Sequence, residues 1–472
     1  MVIDEVRTVS ESGVDPAAID GFAATLRGTL IFPGDAEYEA ARQVHNGMID
    51  RRPALIARCE DVGDVIAGVN FARDNGLLLA VRGGGHNGPG LGTCDDGLVL
   101  DLSPMDGVRV DPGVRTARVE GGCTLGEMDH ATHAFGLATP LGVNSTTGVG
   151  GLTIGGGMGH LSRHHGLAID NLLEVDMVLA DGSFVTANEQ QHPDLFWAIR
   201  GGGGNFGVVT SFLFRLHPVS TVYAGPMLWH MDLAEDILHW YGEFLPNAPD
   251  ELNGTLMFIS VPPADPFPEP LWNQTMCAII WCYSGPPEQA EDVLLPIRTR
   301  FGTPALDWVD VLPYPVLQSM FDAVFPHGIQ MYWKADFVNE LTEESIKLRV
   351  QQALSKPVGS SLLGFHPIDG AASRVPTDAT PWAYRDARFA EVMVGATPDP
   401  AENDAIIAWA RETWDVLHPF SAGGGYVNFM MDEGVDRIQA TYRGNYDRLA
   451  RIKARYDPDN LFRVNQNVTP RT

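Results

Sequence analysis

Val81-Arg82-Gly83-Gly84-Gly85-His86-Asn87-Gly88 decides how this chain is read. The run Leu77-Leu78-Leu79-Ala80-Val81 that leads into it is rich in β-formers. Three glycines follow, and they let backbone approach a ligand closely. His86 is the one residue of the loop able to act as a nucleophile or metal ligand. Gly83, Gly85 and Gly88 satisfy a G-x-G-x-x-G pattern. A dinucleotide-binding turn, however, opens a helix directly after its glycines. Here Pro89, Gly90, Gly92 and Asp95-Asp96-Gly97 lead into a second strand-like run, Leu98-Val99-Leu100-Asp101-Leu102. Strand, loop, strand excludes a Rossmann turn and leaves a glycine loop presenting His86 to something large.

Outward from that loop, the flanking sequence alternates helical and strand signals. Val62, Val65, Ile66, Val69 and Ala72 have the spacing of one helix face. Residues 108–110 and 116–119 read as strands and residues 125–135 as a helix. Asp181-Gly182 is a turn signal joining the strand-like runs 172–180 and 184–187 into a hairpin. The layout is α+β with many short strands. In the middle part, strand-like runs such as 276–283 alternate with helical ones such as 343–354. That part also holds nine tryptophans: Trp229, Trp240, Trp272, Trp281, Trp308, Trp333, Trp382, Trp409 and Trp414. Core packing is the first expectation for each of them, lining of a pocket the second.

The chain has 472 residues, 44% hydrophobic and 19% charged, which fits a globular protein of two domains. A net charge of −28 would repel nucleic acid and anionic membrane, so neither is expected as a partner. Five scattered cysteines without a C-x-x-C argue against a disulfide framework or structural zinc. The first residues lack the pattern of a signal peptide, and no run approaches the ~20 apolar residues of a membrane span. The cytoplasm is the expected location.

Two further glycine regions stand out. Residues 148–159 hold seven glycines in twelve positions, and backbone N–H groups in such a run can form anion-holding concavities. Gly201-Gly202-Gly203-Gly204-Asn205-Phe206-Gly207 repeats the G-x-G-x-x-G pattern between a helical segment and a strand, the reverse of Rossmann order. Three such loops suggest a dinucleotide held by a different fold. His160 and His164 form an i, i+4 pair, but no H-E-x-x-H or nearby carboxylate completes a site, so no metal is expected. G-x-S-x-G is absent. Asn465 and Asn467 share a face if their segment is extended.

These motifs together resemble one family along nearly the whole chain. They are Arg52-Pro53-Ala54-Leu55-Ile56-Ala57-Arg58, the His86 loop, Thr147-Gly148-Val149-Gly150-Gly151, the Gly155–Gly159 run, the Asp194–Val209 stretch, Tyr426-Val427-Asn428 and the Tyr456–Asn467 tail. The chain resembles the FAD-linked oxidases of the vanillyl-alcohol oxidase fold, with a PCMH-type FAD-binding domain. Within them it is similar to the berberine-bridge-enzyme-like branch and its bacterial 6-hydroxynicotine, sugar and antibiotic-tailoring oxidases. The resemblance implies a two-domain α+β flavoprotein: an FAD domain over 1–215, a substrate domain over 216–431, and a tail, 432–472, that returns to the FAD domain.

It further implies that His86 is bonded to the 8α-methyl of FAD. Arg82, Gly83, Gly84, Gly85, Asn87, Gly88, Gly142, Ser145, Thr147, Gly150, Gly151, Gly156, Gly157, Gly159 and Val208 are expected to hold the cofactor, with Asn465 and Asn467 near its isoalloxazine. Doubly linked relatives carry a cysteine at the position of Asn144, so a single covalent link is expected. Relatives often place tyrosine at the position of Phe429, which leaves Tyr426 as the first candidate for base or substrate anchor, with Tyr384 and His327 behind it. Thr147 stands where relatives often carry valine or leucine, and oxygen access is expected there. The implied activity is oxidation of a small organic molecule (alcohol, sugar, amine or secondary metabolite), with O₂ as acceptor and hydrogen peroxide as product. A flavin dehydrogenase using another acceptor, an oxidative cyclase and a non-catalytic flavin-binding protein remain as alternatives. Oligomeric state is not legible in the sequence.

Overall fold

A computed structural model describes residues 14–357 and 359–471. Three sheets organise them. The smallest has four strands in the order Thr29–Ile31, Leu55–Arg58, Leu98–Asp101, Leu79–Arg82. Its last three strands are parallel, with Leu98 opposite both Leu55 and Leu79. Parallel strands of one sheet need a crossover connection. The helix Val62–Asp74 supplies one, with the Asp61 side chain capping its N-terminus by accepting from the Asp64 N–H. The His86 loop leaves the carboxyl end of the strand Leu79–Arg82, where open parallel sheets present ligand sites.

A five-stranded antiparallel sheet follows, in the order Val108–Asp111, Thr116–Glu120, Val208–Arg215, Leu172–Val178, Phe184–Asn188. Its last two strands form the hairpin expected at Asp181-Gly182, with Val178 opposite Phe184. Gly182 has φ +81°, in the left-handed region that the turn requires. The second glycine region is not one open loop, because Val149–Ile154 forms a short helix inside it.

The third sheet has eight antiparallel strands. Along it side chains alternate, as the period-2 geometry of a strand demands. Leu256, Phe258, Cys277, Ile279, Trp281, Leu363, Phe365 and Met393 pack into one core with residues of the helices Ala234–Phe244, Glu343–Ser355 and Asn403–Leu417. Arg349, fully buried on one of those helices, donates to both oxygens of Glu391 at 2.8 Å and pins helix to strand. The alternate residues Thr255, Met257, Ile259, Ala278, Ile280, Leu362, His366, Val392 and Val394 face a cavity instead. Most of the tryptophans serve packing, as Trp229, Trp281 and Trp409 do in that core, whereas Trp333 lines the cavity.

The tail returns to the glycine loops. After the helices Val435–Tyr442 and Tyr446–Tyr456, Lys453 donates to Asp457 at 2.5 Å, to the Asn205 carbonyl at 2.7 Å and to the Phe462 carbonyl at 2.9 Å. The Asn205 side chain in turn accepts from the Val468 N–H at 2.8 Å and donates to the Gln466 carbonyl at 3.2 Å. Among the described residues no helix is long and apolar enough to cross a membrane.

Candidate functional site

One cavity of about 430 Å³ runs from the glycine loops to the open face of the eight-stranded sheet. The first and second glycine regions meet backbone to backbone at its wall. A Cβ on Gly84 would sit 2.3 Å from the Gly148 nitrogen, and one on Gly148 would sit 2.3 Å from the Gly84 nitrogen. No side chain fits at either position, so glycine is obligatory for this approach. Arg82 is tied to Asp101 at 2.8 Å beneath the loop.

His86 lines the cavity at the edge of this wall. His45 stacks on one side of its ring, and His327 meets His45 edge-on with centroids 5.9 Å apart. Thr146 Oγ1 lies 2.9 Å from His86 Nε2 and donates to Asn144 Oδ1 at 2.6 Å. The single hydroxyl hydrogen of Thr146 is thereby used. Its oxygen accepts from Nε2–H, and Nδ1 keeps a free lone pair. Burial, with His45 beside it, holds the His86 imidazole down to about 3, so the ring is neutral.

Of the residues singled out from the sequence, Arg82, Gly83, Gly84, Gly85, His86, Asn87, Gly142, Thr147, Gly150, Gly151, Val208 and Asn465 line this cavity. Gly88, Ser145, Gly156, Gly157, Gly159 and Asn467 do not. Ser145 is held by Asp322, whose carboxylate accepts from its N–H at 3.0 Å. Gly157 gives its N–H to Tyr426 at 3.0 Å. The Asn465 Nδ2 donates to the carbonyls of Gly204 at 3.1 Å and Phe462 at 2.9 Å. The buried Oδ1 atoms of Asn465 and Asn467 have no hydrogen-bond partner.

The three phenol and imidazole candidates separate. Tyr426 lines the cavity, and its hydroxyl accepts from Gly157 N–H and, at 2.7 Å, from Asn428 Nδ2. Burial pushes its pKa up to about 12. It therefore keeps its own proton, free to donate, and suits an anchor better than a base. Tyr384 is away from the cavity. Its ring lies between Phe337, centroid 4.4 Å distant, and the Arg443 guanidinium 3.5 Å away, and its hydroxyl donates to the Ala440 carbonyl at 3.0 Å. His327 is exposed, separated from His86 by His45, and does not line the cavity. Neither is placed to touch a substrate there.

His160 and His366 were missed. His160 was visible only as half of an i, i+4 pair, yet it points into the cavity while His164 stacks on His165 and bonds Ser284 at 2.9 Å. His366 gave no signal in the sequence. Gly203, Gly204 and Gly207 of the third glycine region also line the cavity.

A cradle that only glycine can form, a neutral histidine at its edge and orphaned asparagine oxygens on a returning tail fit a bulky dinucleotide such as FAD. Comparison with known proteins agrees. Residues 53–188 match the family described as FAD binding domain, and residues 425–469 the family described as berberine and berberine like. An FAD-linked oxidoreductase of Dictyostelium discoideum is 32% identical, over 96% of this chain and 97% of its own. A xylooligosaccharide oxidase of Thermothelomyces thermophilus is 28% identical, over 98% of this chain and 97% of its own. The crystal structure of 6-hydroxy-D-nicotine oxidase from Arthrobacter nicotinovorans superposes with a TM-score of 0.84 at 27% identity, covering 94% of this chain and 98% of that one.

Proposed function

The chain belongs to the FAD-linked oxidoreductases of the berberine-bridge-like type, and from that premise we propose that it oxidises a small organic molecule by hydride transfer to an FAD joined to His86 alone, with dioxygen as the final acceptor and hydrogen peroxide as product. The observation that carries this reading is the single cavity shared by the glycine cradle, His86 and the apolar face of the eight-stranded sheet. When bound, FAD supplies the two-electron acceptor and, once reduced, the reductant for dioxygen.

The protein's own part is positioning and proton handling. The division into 1–215, 216–431 and 432–472 gives the FAD domain, the sheet that covers the substrate, and the tail that closes the cradle. Arg82, Gly83–Gly85, Asn87, Gly142, Thr147, Gly150, Gly151 and Val208 hold the cofactor from the first domain, and Asn465 reaches it from the tail. The neutral His86 offers Nδ1 for the covalent bond because Thr146 occupies Nε2. Asn144 cannot form a second link and instead orients Thr146. Tyr426 donates its remaining proton to the substrate from a hydroxyl fixed by Gly157 and Asn428.

The test uses the purified holoprotein. Acid precipitation should leave the flavin on the protein, and proteolysis should give one flavinylated peptide, containing His86. Anaerobic addition of a turnover substrate should bleach the flavin, and air should restore it with release of peroxide. Slow recovery in air with rapid recovery on a quinone would replace oxidase by dehydrogenase. Flavin attached to another residue, or to two, would overturn the single-link reading.

A further inference from the structure

His366 reaches the cavity by strand parity. In the strand Leu362–Pro367, Leu363 and Phe365 enter the helix-covered core, so Leu362 and His366 take the opposite face. Its ring rests on Phe429, with centroids 5.4 Å apart. His160 lines the same cavity, from the segment that follows the second glycine region. His160 is 2% exposed and His366 5%. Both ring nitrogens of His160 are buried without a hydrogen-bond partner. An unpartnered imidazole in such a place is costly unless something else meets it. Both rings line the one cavity. Burial, with His366 adding to the shift, holds His160 down to about 3, and burial holds His366 down to about 4. Both are therefore neutral.

The rest of this end of the cavity is apolar, with Met257, Ile259, Ile280, Trp333, Val392 and Phe429 on its walls. Among the described lining residues there is no Asp, Glu or Lys, and Arg82 is already paired to Asp101. A cationic amine would find no carboxylate. An oligosaccharide would find the short hydroxyls of Thr255, Ser260, Ser360 and Ser361, the Tyr426 hydroxyl, the Asn428 amide and the two imidazoles, too few for its many hydroxyls.

We propose that His160 and His366 are catalytic residues that take up the hydroxyl proton of an uncharged, mainly apolar alcohol, an inference that rests on the flavin-oxidase reading above. The O–H proton passes to an imidazole nitrogen. The carbinol C–H bond breaks with its electron pair, which leaves as hydride to oxidised FAD, and the carbon–oxygen bond becomes a carbonyl. One proton and one hydride, two electrons in all, convert the alcohol to an aldehyde or ketone. The hydroxyl becomes strongly acidic as hydride departs, so a weak neutral base suffices at that moment.

Anaerobic flavin bleaching of the holoprotein tests this with three panels: benzylic and alicyclic secondary alcohols, the amines of the same skeletons, and cello- and xylo-oligosaccharides. The alcohols should bleach fastest. With the best of them, His366→Gln and His160→Gln should slow bleaching, the stronger effect reaching about 100-fold, while the Kd of that alcohol moves less than about threefold and dithionite still bleaches normally. His366→Asn serves if the glutamine variant is poorly folded. Loss of rate at constant Kd and unchanged flavin spectrum separates proton transfer from a packing role. An amine or oligosaccharide panel that bleaches fastest, or both glutamine variants within about threefold of the parent rate, overturns the inference and leaves the oxidase reading standing. No bleaching by any panel overturns the oxidase reading and this inference with it.

Discussion

His45 lies flat against His86, with ring centroids 3.8 Å apart and planes 17° from parallel. Burial pushes His45 down to about 4, with His327 adding to the shift, and so two neutral imidazoles are stacked where the cofactor is expected to bond. Protonating either would place a charge against the other. The stack therefore keeps His86 a nucleophile at neutral pH and fixes its ring plane, while Thr146 fixes its rotation. Replacing His45 with alanine should lower the fraction of protein that retains flavin after acid precipitation. Full retention in His45→Ala would show that the stack is dispensable for attachment.

Acid should weaken the fold early. His45, His160, His165, His217 and His366 are all held by burial at about 3 or about 4. Their folded pKa values lie below the ordinary 6.5, so the unfolded chain binds protons first as pH falls. Their contribution is complete above about 6.5 and is lost on the way down, at up to ~1.4 kcal/mol per pH unit for each group. Calorimetric Tm should fall steeply between about pH 6.5 and 5. A flat Tm across that window would contradict the buried neutral histidines.

Asp129 runs the other way. It lies on the helix Leu125–His133, is fully buried, and has one carboxylate oxygen without a partner. Burial pushes its pKa up to about 7. Its protonated form contributes stability that is complete below the ordinary carboxylate value near 3.8 and lost as pH rises to about 7. In Asp129→Asn that loss is removed. The variant should gain in Tm over the parent between pH 4 and 7 and hold a constant advantage above. A difference independent of pH would place the ionised form in the fold.

Tyr426→Phe removes a hydroxyl that accepts two hydrogen bonds. The Gly157 N–H and the Asn428 amide then lose a buried partner, which costs ~1–3 kcal/mol. Denaturant titration should show that loss. If the phenol is an anchor as proposed, flavin reduction should slow only modestly, with weaker substrate binding. A collapse in rate at unchanged Kd would return the base to Tyr426.

Lys453 and Asp457 are a fully buried pair whose ammonium also holds two carbonyls. Lys453→Met leaves a buried carboxylate unpaired and should destabilise by about 3–5 kcal/mol in urea unfolding. The Asp457 carboxylate also accepts from the N–H groups of Leu461 and Phe462. Limited proteolysis should therefore cut the tail after 457 first. Parent-like resistance there would argue that the tail is held by packing alone.

The fold was largely legible because its signals are local. The helix Val62–Asp74, the hairpin at Gly182 and the strand before His86 each follow from spacing or turn chemistry within a dozen residues. The glycine cradle was legible as composition, though its short helix Val149–Ile154 was not. What stayed hidden depends on partners far along the chain. Thr146 touches His86 from 60 residues away, and nothing near Thr146 announces it. Tyr384 looked available until Phe337 and Arg443 enclosed it. His366 required knowing which face of its strand the helices cover.

Asn205 joins the third glycine loop to Gln466 and Val468 across more than 260 residues. Synthesis runs in one direction, so the glycine loops emerge from the ribosome long before the segment that completes their grip. The bonds of Asn205 to Gln466 and Val468 close only once that segment arrives, so the cradle is completed at the end of synthesis. Any carrier or chaperone that shelters the half-built cradle has the whole span from Asn205 to Val468 in which to act.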